Sequence, residues 1–424
     1  MHDYRWTADT GDLVIRVADN CADLEETWRR LQAVSACTAF QTFEWVSALL
    51  ETVGRVQGVE PRIVLVGDGS GRPLMLLPFA LRKTRGLHLL EFIDFKVSDY
   101  NAPIIRREFA RTLTAQTFER LWHQILAAVG AVDAVRFEKM PAKIDDVPNP
   151  MSFLSCVQEE QSHYARLDGT YEKYLAGRST NARQGTLRKR RKLAKQGGLT
   201  FLHATNGQDA DRLVEAMIRQ KSRRYRSTGV ADLFDDRSYA DFYRTIAQRD
   251  FGGLIHVSGL MLDDRPVGTV FGTEFRGRLC LLMPTFDADF SYFSPGRMLI
   301  LDLIHWCYAQ KISVLDFTWG DEEYKCGWTN DSLPLYTHCR GLTWRGHFWA
   351  RSTRAKVVGY RFAKRQLQRS GPLFAAAKKL RTLIRSLQRH GRPDTLPSWE
   401  SAGARVRPLT DSAPDNAAVR TDDG

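Results

Sequence analysis

Several strong sequence signals are missing from this chain, and each absence excludes a class of protein. No stretch holds the roughly 18 uninterrupted apolar residues that a membrane-spanning helix needs. The opening residues, MHDYRWTADTGDL, lack the basic and apolar regions of a signal peptide, which predicts a cytoplasmic protein. The 7 cysteines are scattered without a CxxC pair. They fit a reducing compartment, so we expect neither a disulfide framework nor a bound metal.

Common catalytic signatures are missing as well. The sequence contains no GxSxG, HExxH, Walker loop or GxGxxG. It does contain enough apolar material for a real core, because 43% of its 424 residues are hydrophobic and 10 Trp and 22 Phe are present. This length leaves room for two ordinary domains.

The net charge of +12 comes from two segments. Residues 178–195 hold eight Lys or Arg and no acid, and residues 351–392 hold thirteen and no acid. The remainder has 40 basic against 49 acidic residues. The body of the protein is therefore acidic, and a polyanion would have to bind the two basic segments.

The order of predicted elements repeats along the chain. Residues 64–92 and 257–286 each show a strand, an acidic turn ending in Arg-Pro, a strand, an Arg-Gly turn and a strand. Helices precede each copy, and a helix and a strand follow it. This pattern predicts a duplicated α/β unit, with chance similarity of hairpins as the alternative. The Pro-rich residues 141–150 are the predicted linker.

One candidate anion site is a predicted helix that starts at Ser294 and Pro295 and runs to about Gln310. Ser is a favourable cap, Pro suits the first turn, and Gly296 leaves room for a ligand to approach. Free N–H groups and the positive end of a helix dipole can hold a pyrophosphate. An ordinary capped helix explains the same residues, and both interpretations stay open. The cofactor-binding candidates are Ser294, Gly296, Arg297 and Met298.

A second candidate site is the segment VLDFTWGDEEYKCGWTN, residues 314–330, where a strand is followed at once by crowded polar groups. Asp316 is predicted at the strand end, where α/β folds place reactive groups. We predict Asp316 as base or acceptor orienter, Tyr324 as acid, and Lys325 as partner of a phosphate or oxyanion. The alternative is an ordinary helix start, at which the acidic residues stabilise the positive end of the helix dipole. Substrate-binding candidates here are Asp321 and Trp328.

Residues 169–198, which include the basic residues 178–195, predict one long basic helix, broken near Gly177 and stopped by Gly197 and Gly198. A phosphate-binding face and a solvated face are both open interpretations. We take Arg188 and Arg191 as substrate-binding candidates. The second basic stretch, with its Trp-rich start LTWRGHFWARSTR, could contact an anionic membrane surface or pack back on the body.

Several of these motifs, in this order, carry a family resemblance. AFQTFEWVSALLE, GRPLMLLPFALRK and the Asp99-Tyr100, Ala102-Pro103 segment come first, followed by DDRPVGTVFG, SPGRMLILDLI and LDFTWGDEEYKCGW. The sequence resembles the CelD-type cellulose-biosynthesis acetyltransferases, a branch of the GNAT superfamily related to the Fem-type peptidoglycan transferases. The resemblance runs from about residue 25 to 345.

The resemblance implies an α/β protein of tandem GNAT-like domains, each a mixed twisted sheet flanked by helices, with a basic helical C-terminal extension. The expected domains are residues 1–150, the acetyltransferase half 151–345, the extension 346–392 and a disordered tail 393–424. Acetyl-CoA or another acyl-CoA is the implied donor, and no DNA partner is expected. The implied acceptor is a small molecule or a glycan- or lipid-linked amine or hydroxyl of exopolysaccharide, cellulose or envelope synthesis.

Two alternatives remain for the function. A Fem-like transferase would use aminoacyl-tRNA, and the basic segment 178–195 keeps that possibility open. A non-catalytic protein of polysaccharide assembly would use the same fold without a donor.

Overall fold

Strands whose central residues are buried in succession build one long sheet through the protein. The computed structural model describes residues 2–8, 11–179, 181–250, 253–320 and 322–369. The strands are β1 His2–Ala8, β2 Gly11–Ala18, β3 Glu60–Asp68, β4 Pro73–Thr84, β5 Leu87–Phe92, β6 Ile104–Ile105, β7 Ala134–Pro141, β8 Lys143–Ile144, β9 Val147–Pro148, β10 Val157–Arg166, β11 Leu199–His203, β12 Ile255–Leu262, β13 Arg265–Phe275, β14 Arg278–Leu281, β15 Thr285–Phe286, β16 Val314–Trp319 and β17 Asp331–Gly341.

Helices cover both faces of this sheet, and several begin at residues that the sequence marks as caps. The Thr42 hydroxyl, for example, accepts a hydrogen bond from the Trp45 N–H at the start of its helix. The α-helices are α1 Glu25–Val34, α2 Phe43–Leu49, α3 Arg55–Gln57, α4 Arg107–Thr112, α5 Ala115–Val129, α6 Tyr171–Ala176, α7 Thr186–Leu193, α8 Gly207–Thr228, α9 Arg237–Arg249, α10 Pro295–Ala309, α11 Glu323–Cys326 and α12 Trp344–Arg369.

The strand order shows the same unit twice. β3, β4 and β5 are antiparallel neighbours, and β5 then pairs in parallel with β7. β12, β13 and β14 repeat this arrangement, and β14 pairs in parallel with β16. Each parallel pair needs a helical crossover, which α5 and α10 provide. The predicted mixed α/β class and duplicated unit are confirmed.

The last strand joins the two units. β17 follows β16 in the chain, yet it lies between β7 of the first unit and β10 of the second, antiparallel to both. The described residues therefore form one continuous sheet, in the order β1-β2-β3-β4-β5-β7-β17-β10-β16-β14-β13-β12-β11.

One of the hydrophobic cores belongs to both units. Trp45 of α2 and Phe242 of α9 meet edge to face with ring centroids 5.0 Å apart, and both are fully buried. Such an aromatic contact contributes about 1 kcal/mol beyond the burial of its area. The units are therefore held together by a shared core as well as by the sheet.

Two local expectations need correction. The predicted linker 141–150 forms the packed hairpin of β8 and β9, because Ile144 and Val147 are buried in the first unit's core. The predicted long basic helix does break at Gly177, but its second part ends at Leu193, before the two glycines.

The C-terminal extension is described in part. α12 ends at Arg369 and contains the start of the predicted extension 346–392. The rest of that extension and the predicted disordered tail 393–424 lie outside the described residues. Within the described ranges, every helix is too short or too polar to cross a lipid bilayer.

The packing of α12 on the sheet allows a test of the fold. A Cβ at Gly346 would overlap the carbonyl oxygen of Asp133, which precedes β7. We expect Gly346→Ala to lower the free energy of unfolding by about 1–3 kcal/mol, because a rigid backbone atom must move. Chemical denaturation measures this change.

The control is Gly207→Ala in the first turn of α8, where an added Cβ meets nothing within 4 Å. It should change stability by no more than about 0.5 kcal/mol. Equal effects of the two substitutions would contradict the docking of α12.

Candidate active site

The strands β14 and β16 pair over a short stretch and then separate, and the candidate site lies at this opening in the sheet. Parallel pairing of the two strands covers three positions and stops at Cys280 and Asp316. Beyond that point β13 pairs with β15 instead of β14. The helix α10 starts beyond the carboxyl end of β14, and parallel strands bring the carboxyl end of β16 to the same edge. The two sequence-predicted sites therefore lie at one edge of the sheet.

The start of α10 differs from the capped turn that was predicted. Ser294 has a left-handed backbone, with φ 59°, and its side chain does not cap the helix. Its hydroxyl instead accepts a hydrogen bond from the Lys189 ammonium at 2.7 Å. The Arg297 N–H is engaged by the Ser294 carbonyl at 3.0 Å. A Cβ at Gly296 would meet only the Phe286 ring, at 3.4 Å, so the first turn is accessible.

Basic side chains surround this helix start. Arg190 of α7 forms two hydrogen bonds, of 2.8 and 2.6 Å, with the Asp302 carboxylate and so fixes α7 on α10. The predicted candidates Arg188, Arg191 and Arg297 are exposed to solvent, whereas the side chain of Met298 is buried in the core. Sequence reasoning missed Lys189, because only the helix packing shows which cation of RKRRK reaches α10.

Asp316 is not at the strand end but in the middle of β16, where it is fully buried. Its carboxylate accepts hydrogen bonds from the Tyr100 hydroxyl at 2.7 Å and the Ser162 hydroxyl at 3.2 Å. It also pairs with the Arg278 guanidinium at 2.6 Å and accepts the Thr318 N–H at 2.8 Å. These partners use its hydrogen-bonding capacity, so the predicted role as base or acceptor orienter is corrected to a positioning role.

The partner Arg278 is held in its charged form. Burial works against the charge, but the neighbouring Asp316 carboxylate is close enough to raise the pKa of Arg278 above its ordinary value. The Arg278 guanidinium therefore stays charged across the physiological pH range.

Lys325 fixes the backbone where the chain leaves β16, at Thr318, Trp319 and Gly320, which we call the exit of β16. Its ammonium is buried and donates to the carbonyls of Thr318, Trp319 and Gly320, at 3.3, 2.7 and 3.1 Å. It also pairs with the Glu322 carboxylate at 2.8 Å. An ammonium has three protons, so these partners occupy it fully. Its predicted role toward a phosphate or oxyanion is therefore corrected to a structural one.

The remaining candidates of this segment lie in different surroundings. Tyr324 is half-buried and meets the Phe317 ring edge to face at 6.4 Å. Burial and the Glu322 charge raise the pKa of Tyr324 well above its usual range, so the phenol keeps its proton. Trp328 was predicted to bind substrate, but its indole is buried in the core beside α10. Asp321 lies outside the described residues.

Two titratable groups that sequence reasoning did not select lie near the exit of β16. Burial, reinforced by the Asp316 charge, raises the pKa of Asp99 to about 6, although Lys139, Thr318 and Lys325 favour its ionised form. The motif segment Asp99-Tyr100 was visible in the sequence, but nothing there shows that the carboxyl is buried against β16.

The second group is Lys221 of α8. Burial, together with the Arg224 charge, lowers the pKa of Lys221 to about 8. The charges of Asp99 and Glu322 act on it in the opposite direction. A carboxyl and an amine that both titrate near neutral pH are typical of catalytic sites.

Arg224 connects the two parts of the site. Its guanidinium lies over the Phe286 ring, 5.8 Å from the centroid, and that ring contacts the Gly296 position. Its charge also acts on Lys221 and on Tyr324. The start of α10 and the exit of β16 thus share one polar neighbourhood.

A cavity of about 270 Å³ lies next to this neighbourhood, lined mostly by the first unit and closed by Tyr239 of α9. Its lining includes Asp94, whose carboxylate is 3.5 Å from the Lys139 ammonium. Lys139 in turn lies over the Trp319 ring at the end of β16, 5.5 Å from the centroid. A single side chain therefore separates the cavity from the exit of β16.

The described parts of the chain hold no group of three or more His, Cys, Asp or Glu side chains suited to a metal ion.

Residues 180–326 match the family model described as the acetyltransferase (GNAT) domain. The matched segment contains α7, β14, α10, β16 and α11, which together build the opening. Comparison with curated proteins found no match to the sequence.

Several solved structures are similar to this chain. The crystal structure of FemX superposes with a TM-score of 0.53 at 9% identity, over 76% of this chain and 96% of FemX. The C-terminal domain of a putative lysylphosphatidylglycerol synthetase from Agrobacterium fabrum gives 0.47 at 11% identity, over 76% and 93%. A tandem GNAT protein from the clavulanic acid biosynthesis pathway gives 0.42 at 13% identity, over 78% and 99%. The family match and the likeness to FemX confirm a GNAT-like fold.

The raised pKa of Asp99 predicts how stability depends on pH. The native state holds this proton more tightly than the unfolded chain, so the free energy of unfolding falls as pH rises from about 4 to 6. Above pH 6 this loss in the free energy of unfolding is complete and amounts to about 3 kcal/mol. We expect Asp99→Asn to be more stable than the wild type at pH 7, by up to this amount, and equal to it near pH 4.

Urea denaturation at a series of pH values checks this difference. If the stability difference between Asp99→Asn and the wild type stays constant from pH 4 to 8, titration of the Asp99 carboxyl does not cause it.

Proposed function

We propose that the protein is an acyltransferase that moves an acyl group from acyl-CoA to an acceptor held beside the opening between β14 and β16. The observation that carries this proposal is the shared polar neighbourhood of the α10 start and the β16 exit, within a segment that matches a GNAT domain. A GNAT fold implies an acyl-CoA donor in general, and the residues at the opening fit one.

The donor phosphates fit the accessible first turn of α10. Lys189 and Arg297 supply positive charge there, and the Gly296 N–H and the helix dipole favour an anion. Arg188 and Arg191 extend the basic surface along α7. Acyl-CoA brings the activated thioester, and these side chains hold its phosphates.

The transfer requires a base and an acid on either side of the thioester. The acceptor nitrogen or oxygen attacks the carbonyl carbon and gives its proton to Asp99, while the carbon–sulfur bond breaks. The leaving thiolate takes the proton of the Tyr324 phenol, so the thiol is released neutral while the proton of the acceptor stays on Asp99. Lys221 stabilises the negative oxygen of the tetrahedral intermediate.

The cavity in the first unit is the proposed acceptor site. Its wall carries paired charges, including Arg82 with Glu91 and Arg136 with Glu138. Such a wall favours a polar acceptor over an apolar one. The CelD-type relationship, and with it a role in exopolysaccharide, cellulose or envelope synthesis, remains a prediction from the sequence motifs.

A Fem-like transfer from aminoacyl-tRNA is the second candidate. The fold shared with FemX and the exposed Arg188 and Arg191 favour it. Binding of tRNA would weaken steeply with salt, by several orders of magnitude between about 50 and 200 mM if six or more phosphates are contacted. Titrations with tRNA and with acetyl-CoA at two salt concentrations separate the two donors.

Activity is the first test of the mechanism. In a screen of labelled acetyl-CoA with polar amine and alcohol acceptors, we expect kcat/KM to rise through about pH 6, as Asp99 loses its proton. Asp99→Asn should lower kcat by a factor of about 100 or more, since the base is lost. Tyr324→Phe should lower kcat with little change in KM.

A matched control is Asp94→Asn in the same loop, which should raise KM for the acceptor and leave the pH profile unchanged. Full activity of Asp99→Asn would show that Asp99 is not the base.

Donor binding is the second test. A saturating donor at about 100 times its Kd adds about 2.7 kcal/mol to stability, which a thermal-shift series with CoA detects. We expect Lys189→Ala to weaken CoA binding by about tenfold, because the ammonium at Ser294 is lost.

Lys143→Ala, an exposed cation on β8 of the first unit, is the control and should bind as the wild type does. No thermal shift with CoA in the wild type would contradict the proposed donor.

A further inference from the structure

The start of α12 presents a stripe of exposed aromatic and basic side chains. Trp344 and Phe348, with 81% and 76% of their side chains exposed, are one helical turn apart. Arg351 follows on the same face and is also exposed. The stripe of Trp344, Phe348 and Arg351 therefore combines large apolar side chains with a cation.

The opposite face of α12 fixes this stripe on the outside of the protein. Gly346 lies against Asp133, and Ala350 is buried. Arg345 donates to the Gly86 carbonyl at 2.9 Å, and Arg354 donates to the Cys339 carbonyl. Contacts on this face hold the helix on the sheet, so its rotation is set and the aromatic stripe cannot turn inward.

The charged side chains at the start of α12 are all basic. Residues 344–356 contain Arg345, Arg351, Arg354 and Lys356 and no Asp or Glu. The β4–β5 hairpin, whose Gly86 contacts Arg345, adds the exposed Arg85. The acid beside the helix, Asp133, is engaged by the Thr343 hydroxyl at 2.7 Å and the His88 N–H at 2.9 Å.

We propose that α12 docks on an anionic lipid surface through this stripe. Trp and Phe side chains suit the boundary between headgroups and acyl chains, and a dense row of cations suits anionic headgroups. The charge complementarity selects an anionic bilayer rather than a neutral one. Since α12 lies outside the proposed active site, the docking does not depend on acyl transfer.

The test uses the full chain in sedimentation with vesicles of phosphatidylcholine, alone or mixed with phosphatidylglycerol. We expect binding to the mixed vesicles, weakened by salt. The double variant Trp344→Ser, Phe348→Ser should weaken it by about tenfold or more. The charge variant Arg351→Glu, Lys356→Glu should do the same on the anionic vesicles.

The matched control is Val56→Ser, Val157→Ser, which removes two exposed apolar side chains far from the stripe in sequence, and should bind as the wild type does. Equal binding to neutral vesicles, or unchanged binding of the Trp344 and Phe348 variant, would overturn the proposal. So would sedimentation velocity without lipid that shows self-association through the stripe and no vesicle binding.

Discussion

The buried carboxylate of Asp316 is the interaction on which the rest of the structure depends. It joins Tyr100 of the first unit, Ser162 of β10 and Arg278 of β14 at the position where the sheet opens. Removing one partner from such a buried ion pair typically costs 3–5 kcal/mol, because the other charge stays buried without compensation. The opening between β14 and β16 is thus held at its base by a fixed set of charges and hydroxyls.

Placing Tyr100 on Asp316 also determines where Asp99 lies. The neighbouring carboxyl has to enter the interior beside Thr318 and Lys325, where its desolvation raises its pKa to about 6. A buried acid of this kind reduces stability above pH 6, and it is the base of the proposed transfer. The proposed function and the stability of the fold therefore make opposite demands on Asp99, as is common in active sites.

Local patterns in the sequence predicted the parts of this structure that depend on local physics. The repeated Arg-Pro and Arg-Gly turns gave the duplicated unit, and Pro295 gave the start of α10. Asp316 and Lys325 were found as polar residues near a strand end, but their partners come from distant segments. Tyr100 is separated from Asp316 by 216 positions. A sequence shows that such groups are present, whereas only tertiary packing shows whether they face a ligand or each other.

The two units have the same opening but line it differently, and this difference supports a division of roles. In the first unit β5 and β7 pair at only two positions, and the cavity is lined by the next residues of both strands, Glu91 and Arg136 among them. In the second unit the start of α10 and the Lys189 ammonium stand at the corresponding edge. A lining of paired charges suits a polar acceptor, and a helix start beside the basic side chains of α7 suits polyphosphate. Duplication of one fold would thus supply both proposed substrate sites. Where the two units meet, Lys139 of the first lies over Trp319 of the second, and the Asp99 carboxyl is buried beside Thr318 of the same strand.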